Sequence, residues 1–353
     1  MSHILYTSLD EPVEEIVKRI VSGNYLYIYL SDPSGIKGDY PLLKAAHKIR
    51  RVKRHIVELA KNGFHVYHEV DGISRLVRQD HIPRMWHSVL KGDYESSQDG
   101  IIYSLQGPKT GGQASNLVVI FSSIGGDIFG SGLARYFTQN FRSINKHVPG
   151  DTAFLRIADI GGVVGSFYLD TVYSPRNTKS IADLIENVRS GYGIERSSVI
   201  TYGASKGATG ALYHALQNDY KCVCVEPIVN DEYYETSFGD THFTADGVFL
   251  ETKEETFGRL LEAHENDVMS KSGYGHGRIV VVYSKQSPQA SYIENTVGTK
   301  ITNEILLVNF CHPAISDHPD VSPNSLNLIS MYLNMMAYGL PINAGKFAVL
   351  CRS

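Results

Sequence analysis

The chain has 353 residues, 42% hydrophobic and 20% charged, an ordinary globular composition with enough length for one large domain or two moderate ones. A net charge of −4 and a pI near 6.4 exclude a protein whose overall field draws it to nucleic acid. No apolar run approaches the ~20 residues of a membrane span, and the N-terminal MSHILYTSLDEPVEE turns acidic without a basic-then-apolar export pattern, so the chain is expected to stay in the cytoplasm.

Residues 1–110 read as an N-terminal α/β accessory region. YLYIYL (25–30) predicts a strand, and PLLKAAHKIRRVKRHIVELAKNGF predicts a helix with Leu42, Leu43, Ala46, Ile49, Val52, Ile56 and Leu59 at helical spacing. Lys44, Lys48, Arg50, Arg51, Lys53 and Arg54 cover much of the rest. They form either a solvated helix face or a landing surface for an anionic partner, such as a phosphate-bearing glycan or an acidic membrane.

From residue 111 to 353 the pattern becomes strand, turn, helix. LVVIFSSI (117–124), TAFLRIADI (152–160), SVITYGA (198–204), KCVCVEP (221–227), RIVVVYS (278–284) and EILLVNF (304–310) are mostly continuous apolar runs, as strands covered on both faces require. TKSIADLIENVRSGYG, KGATGALYHALQNDY and SPNSLNLISMYLNMMAYG are helical. This alternation predicts an α/β fold with a mostly parallel, doubly wound sheet. Residues 228–275, acidic and tyrosine-rich, form an insertion after a strand end, which places them over the ligand crevice. Cys222 and Cys224 share one face of a strand. With Cys311 and Cys351 they read as reduced thiols rather than metal ligands.

TYGASKGATGAL (201–212) holds the candidate chemistry. Gly203-Ala204-Ser205-Lys206-Gly207 matches G-x-S-x-G between an apolar strand and a helix, the setting of a nucleophile elbow. There the serine hydroxyl is exposed on a strained turn, and the Lys206 N–H points at a developing oxyanion. A plain structural corner is a second reading. A third is a dinucleotide loop with Gly203, Gly207 and Gly210 at altered intervals and Glu226 as its acidic residue.

The elbow reading asks for three further groups. FSSIGGDIFGSG supplies a second oxyanion donor at Ser123 or Ile124. CHPAISDHPDVSP, after the last expected strand, supplies the base. His318, deeper in the loop, is the first choice, and His312, against the strand end, is the other. The acid is expected after the penultimate strand, where the chain has Ser287. Glu294 is the first choice, with Asp317, Asp320 and Glu226 in reserve.

YGASKGATGALYHAL, IFSSIGG, YSKQSPQ and ISDHPDV together resemble the XcbB/CpsF family of bacterial capsular polysaccharide biosynthesis proteins. More distantly they resemble the α/β-hydrolase-like accessory secretion protein that modifies adhesin glycans, and capsule O-acetyltransferases carrying S-S-K-G-G; the resemblance covers about residues 115–340. The resemblance implies an α/β-hydrolase fold with Ser205 as nucleophile and His318 as base. It also implies a role in building or acylating a surface polysaccharide, in the cytoplasm or at the inner membrane. The expected enzyme is a serine O-acyltransferase, with an esterase using the same residues as the alternative. It would hold no bound cofactor, would use acetyl-CoA as acyl donor, and would act on an anionic capsular polysaccharide or its precursor. A non-catalytic scaffold contacting other capsule assembly proteins is the alternative from another class.

Overall fold

In the computed structural model, which describes residues 3–245, 247–270, 277–300 and 304–350, the chain opens with a small four-stranded sheet. Its strands are β1 (Ile4–Ser8), β2 (Tyr27–Ser31), β3 (Phe64–Val70) and β4 (Ile73–Arg78), in the order β1-β2-β4-β3. Alternation in YIYLS buries Ile28 and Leu30 and leaves Tyr27 and Tyr29 on the other face. The expected single basic helix is divided at Ile49, which is extended (φ −123°, ψ 109°), into Leu42–Lys48 and Arg50–Lys61. The break lets both short helices reach one core. Leu42, Leu43 and Ala46 from the first pack in the same cluster as Val52, Ile56 and Leu59 from the second.

The second sheet has nine strands: β5 (Glu95–Ser96), β6 (Ile102–Gln106), β7 (Asn116–Phe121), β8 (Thr152–Ile157), β9 (Val199–Ala204), β10 (Lys221–Val225), β11 (Ile279–Tyr283), β12 (Ile305–Cys311) and β13 (Gly345–Leu350). Their order is β13-β12-β11-β10-β9-β7-β8-β6-β5. The run from β13 to β8 is parallel, and β6 and β5 are antiparallel at the edge. The six apolar runs therefore form the parallel centre. β5 and β6, read from sequence with the accessory region, belong to this sheet because β6 pairs with β8. β13, which the sequence pattern did not single out, pairs with β12.

Apolar cores lie on both faces. Leu117, Val119, Cys222 and Cys224 point to one, and Val118, Ile120, Val223 and Val225 to the other. Helices Asn177–Gly191 and Lys206–Asn218 cover the first face, and Leu326–Ala337 the second. Cys222 and Cys224 are buried thiols, Cys311 is half-buried, and Cys351 lies outside the described residues. This is an α/β-hydrolase-like fold with a small N-terminal α/β sheet.

The winding positions the site. The chain moves from β7 outward to β8, then crosses back so that β9 lies on the other side of β7. The loops leaving β7 and β9 diverge at that switch point and open a crevice at the strands' C-terminal ends. The insertion, with helices Glu232–Phe238 and Lys253–Ser270, leaves the sheet beside it. Its last residues, 271–275, lie outside the described residues. Among the described residues, no helix is long and apolar enough to cross a membrane.

His214, in the helix behind β9, is fully buried and stacks on Phe121 with ring centroids 5.4 Å apart. Neither ring nitrogen has a hydrogen-bond partner among the described residues. Burial lowers its pKa to about 3. The folded state keeps the ring neutral while the unfolded chain protonates it below about pH 6.5. Stability attached to His214 is therefore complete above that pH and is lost as pH falls toward 3. His214→Phe should raise stability by about 1–3 kcal/mol at neutral pH by removing unsatisfied buried nitrogens. In urea unfolding at pH 7.5 and pH 5, its advantage over the parent should widen on acidification; a constant gap would contradict this account.

Candidate active site

The site begins with a backbone conformation. Ser205, between β9 and helix Lys206–Asn218, has φ 53° and ψ −123°, a region that costs non-glycine residues about 1–3 kcal/mol. Crowding sustains it. A Cβ at Gly203 would stand 2.2 Å from the Gly207 carbonyl oxygen, and one at Gly207 2.2 Å from that of Phe121. Only glycine lets strand, turn and helix approach this closely. The Ser205 N–H donates to Val225 O at 2.9 Å, and Ser205 O accepts the Ala208 N–H at 2.9 Å.

Three other strand ends meet this serine. His318 Nε2 lies 2.8 Å from Ser205 Oγ, and His318 Nδ1 lies 3.0 Å from Glu226 Oε2. The Glu226 carboxylate also accepts the Ser284 N–H at 2.8 Å and the Ser287 hydroxyl at 2.5 Å. Glu226 leaves β10 with φ 53°, and its side chain is 2% exposed against 11% for His318. The imidazole thus bridges a hydroxyl and a buried, hydrogen-bonded carboxylate, the arrangement that makes a serine nucleophilic.

The acid is where the sequence reading and the structure diverge. Glu294, the first choice, sits in helix Ala290–Thr296. It accepts the Tyr283 hydroxyl at 2.5 Å and lies 3.4 Å from Lys285 Nζ. The carboxylate on the imidazole is Glu226, which was in reserve. Ser287, at the expected place of the acid, donates to Glu226 instead. Asp317 and Asp320 are engaged at the start of helix His318–Asn324. Asp317 accepts the His318 N–H, and Asp320 accepts the Ser316 and Asp317 N–H groups and the Ser316 hydroxyl. These bonds lower the pKa of Asp320. This capping box fixes His318, expected in a loop, on the first residue of a helix. His312 stacks on Phe310, with Nδ1 accepting the Ala314 N–H, and makes no contact with Ser205.

On the other side of the serine, the Ser123 N–H donates to Asn140 Oδ1 at 3.1 Å, and Asn140 Nδ2 donates to Ser123 Oγ at 2.8 Å. Ser123 is therefore already bonded, and Ile124 is the neighbouring candidate donor. The Lys206 ammonium points away, into the protein. It is fully buried, 3.0 Å from Asp159 Oδ2 and 3.3 Å from Val164 O. Burial lowers its pKa, against the opposing pull of Asp159. Asp159 also accepts the N–H groups of Ser166, Phe167 and Tyr168. The Tyr168 hydroxyl accepts the Ser122 N–H and donates to Ile157 O at 2.9 Å. One buried network thus ties the elbow to the loop after β7. Asp159 and Tyr168 escaped the sequence reading. Their only signal was an aspartate at a strand's C-terminal end followed by Gly161-Gly162.

Above these groups is a cleft of about 570 Å³, lined by Ile124, Ser205, His318 and, from the insertion, Tyr233, Tyr234 and His242. Among the described residues no cluster of three or more His, Cys, Asp or Glu side chains could hold a metal.

No family model matches the chain, and no curated protein matches its sequence. Among solved structures it is similar to a Glycosylation Associate Protein (Gap123) complex from Streptococcus agalactiae, at 15% identity with a TM-score of 0.45. That match covers 75% of this chain and 50% of the other, so this chain spans about half its length. It is also similar to a capsule O-acetyltransferase of Neisseria meningitidis serogroup A (14% identity, 67% and 92% of the two chains, TM-score 0.45) and to esterases from Rhizomucor miehei (11%, 74% and 92%, 0.48). None of these likenesses assigns a reaction to this chain.

Because the strain at Ser205 belongs to the side chain's presence on that turn, Ser205→Gly should be more stable than Ser205→Ala by about 1–2 kcal/mol. Thermal unfolding of the two variants measures this; equal stability would show that the turn stores no strain.

Proposed function

We propose that this protein is a serine O-acyltransferase that carries an acyl group, in the first instance acetyl from acetyl-CoA, to a hydroxyl of a surface polysaccharide or its precursor. The observation that carries the proposal is the Ser205–His318–Glu226 relay at the mouth of a cleft. Ser205 Oγ attacks the thioester carbonyl while His318 Nε2 takes its proton. Glu226 accepts the Nδ1–H bond and stabilises the imidazolium. The N–H groups of Lys206 and Ile124 hold the oxyanion. The tetrahedral adduct collapses, and the thiol leaves with the proton from His318. A sugar hydroxyl then gives its proton to the same histidine and attacks the acyl-serine; the second adduct collapses to the sugar ester, and Ser205 Oγ leaves with the proton that His318 returns.

The half-buried Tyr233 ring on the cleft wall offers a flat face on which a sugar ring can stack, which supports a sugar hydroxyl as acceptor. The capsule-type acceptor follows from the resemblance of the motifs around Ser205 and His318. An esterase would use the same residues with water as acceptor.

A fluorophosphonate probe should label the protein and fail to label Ser205→Ala. Incubation with acetyl-CoA and polysaccharide should add acetyl groups to the polymer, read by mass; release of free acetate alone would establish the esterase instead. Absence of labelling in the folded protein would support a non-catalytic scaffold. Glu226→Gln should lower kcat by roughly 10³–10⁴-fold, as expected when the histidine's orienting carboxylate is lost. Glu294→Gln should stay within about twofold, as for a substitution remote from the relay. The reverse ranking would return the acid's role to Glu294.

A further inference from the structure

A second concavity, of about 980 Å³, lies beside the Ser205 cleft. One wall comes from helices Leu42–Lys48 and Arg50–Lys61, the other from Phe238, Gly239 and Thr241 of the insertion. The first wall carries Lys48, Arg50, Arg51, Lys53, Arg54 and Lys61 against one lining carboxylate, Glu58, which Lys61 holds at 2.9 Å. Arg51 donates to the Leu9 and Asp10 carbonyls at 2.8 and 2.9 Å, neutral partners that position the guanidinium without cancelling its charge. Lys48 sits 4.3 Å over the Tyr40 ring, which likewise leaves its charge in place. On a chain of net charge −4, this is a local concentration of positive field.

The groove adjoins the catalytic cleft. Phe238, 40% exposed, lines both. His47 of the basic wall has Nδ1 3.0 Å from Thr241 O, and its ring lies 5.5 Å from that of His242 in the cleft. We propose that the groove is the binding track of an acidic polysaccharide whose chain passes Phe238 and presents a hydroxyl to the acyl-serine. This rests on the acyl-transfer reading and names its acceptor as a polyanion bearing carboxylate or phosphate on its repeats. A linear polymer can follow the groove, whose walls meet where Lys53 donates to the Gly239 carbonyl at 2.8 Å, and place sugar rings on Phe238 and Tyr233.

The test uses the whole protein and a Lys48→Gln/Arg50→Gln/Arg54→Gln variant, whose three positions are exposed. Arg54 pairs with Glu14, an exposed contact that contributes little. Polygalacturonate, a phosphodiester-linked polysaccharide, neutral dextran and phosphatidylglycerol vesicles are the probes. The parent should bind at least one acidic polymer, more weakly as salt rises, and should not bind dextran. The variant should bind that polymer roughly tenfold more weakly at low salt, with p-nitrophenyl acetate hydrolysis unchanged. Preference between the two acidic polymers identifies the anion.

Equal binding by parent and variant overturns the proposal. So does binding to vesicles alone, and so does displacement of the polymer by CoA, which would give the groove to the donor's phosphates. Loss of p-nitrophenyl acetate hydrolysis in the variant would mean that the groove only supports the cleft. If the parent itself neither hydrolyses the ester nor takes the fluorophosphonate label, the acyl-transfer reading falls. Polymer binding still reports on the groove in that case.

Discussion

The turn at Ser205 is wedged between two glycines and bolted from beneath by a buried charge. Gly203 and Gly207 let β9, the serine and the following helix come closer than any Cβ would allow. Lys206, the next residue, sends its ammonium down to Asp159, with both side chains fully buried. Such a pair is costly to desolvate, and breaking it by removing one partner is costlier still. Here Asp159 simultaneously accepts three backbone N–H groups, and Tyr168 passes the constraint on to Ser122. Because the loop after β7 and the elbow after β9 are both held by this network, the two sides of the crevice are placed relative to each other before any ligand arrives.

Each neighbouring strand then delivers one group to the same edge of the sheet. β9 ends at Ser205, β10 at Glu226, β11 at the loop of Ser284 and Ser287, and β12 leads to His318. Parallel strands make this possible, since their C-terminal ends are all on one side. The carboxylate arrives from β10 rather than β11, and Ser287 from the β11 loop completes its hydrogen bonding. Glu226 and Ser205 share the same left-handed φ of 53°, so two adjacent strands end on turns that lift their side chains toward the histidine.

Around this rigid centre, the irregular parts shape access. The insertion roofs the cleft with aromatic rings, held at its base by Lys253, whose ammonium pairs with Asp231 at 2.7 Å and lies 4.5 Å over the Phe167 ring. The N-terminal region brings its basic helices against the outer side of that roof. The geometry of the Ser205–His318–Glu226 relay is thus set by the sheet, whereas the walls around it come from the two segments least regular in sequence.

By itself, the sequence determined the parallel sheet and the strand-to-helix placement of Ser205, because runs such as IVVVY are stable only when covered on both faces and G-x-S-x-G after such a run admits few other geometries. It also placed a histidine after the last expected strand. Tertiary structure alone decided which carboxylate meets His318. Glu226 and His318 are 92 positions apart, and only the order of β10, β11 and β12 makes them neighbours. Glu294 is closer in sequence to His318 but is turned toward Tyr283 by its helix. Structure alone also divided the basic helix at Ile49 and set Asp159 beneath Lys206. Periodicity and spacing report what a segment does with its own neighbours. Charge pairing across strands depends on the register and order of the sheet, which no local pattern carries.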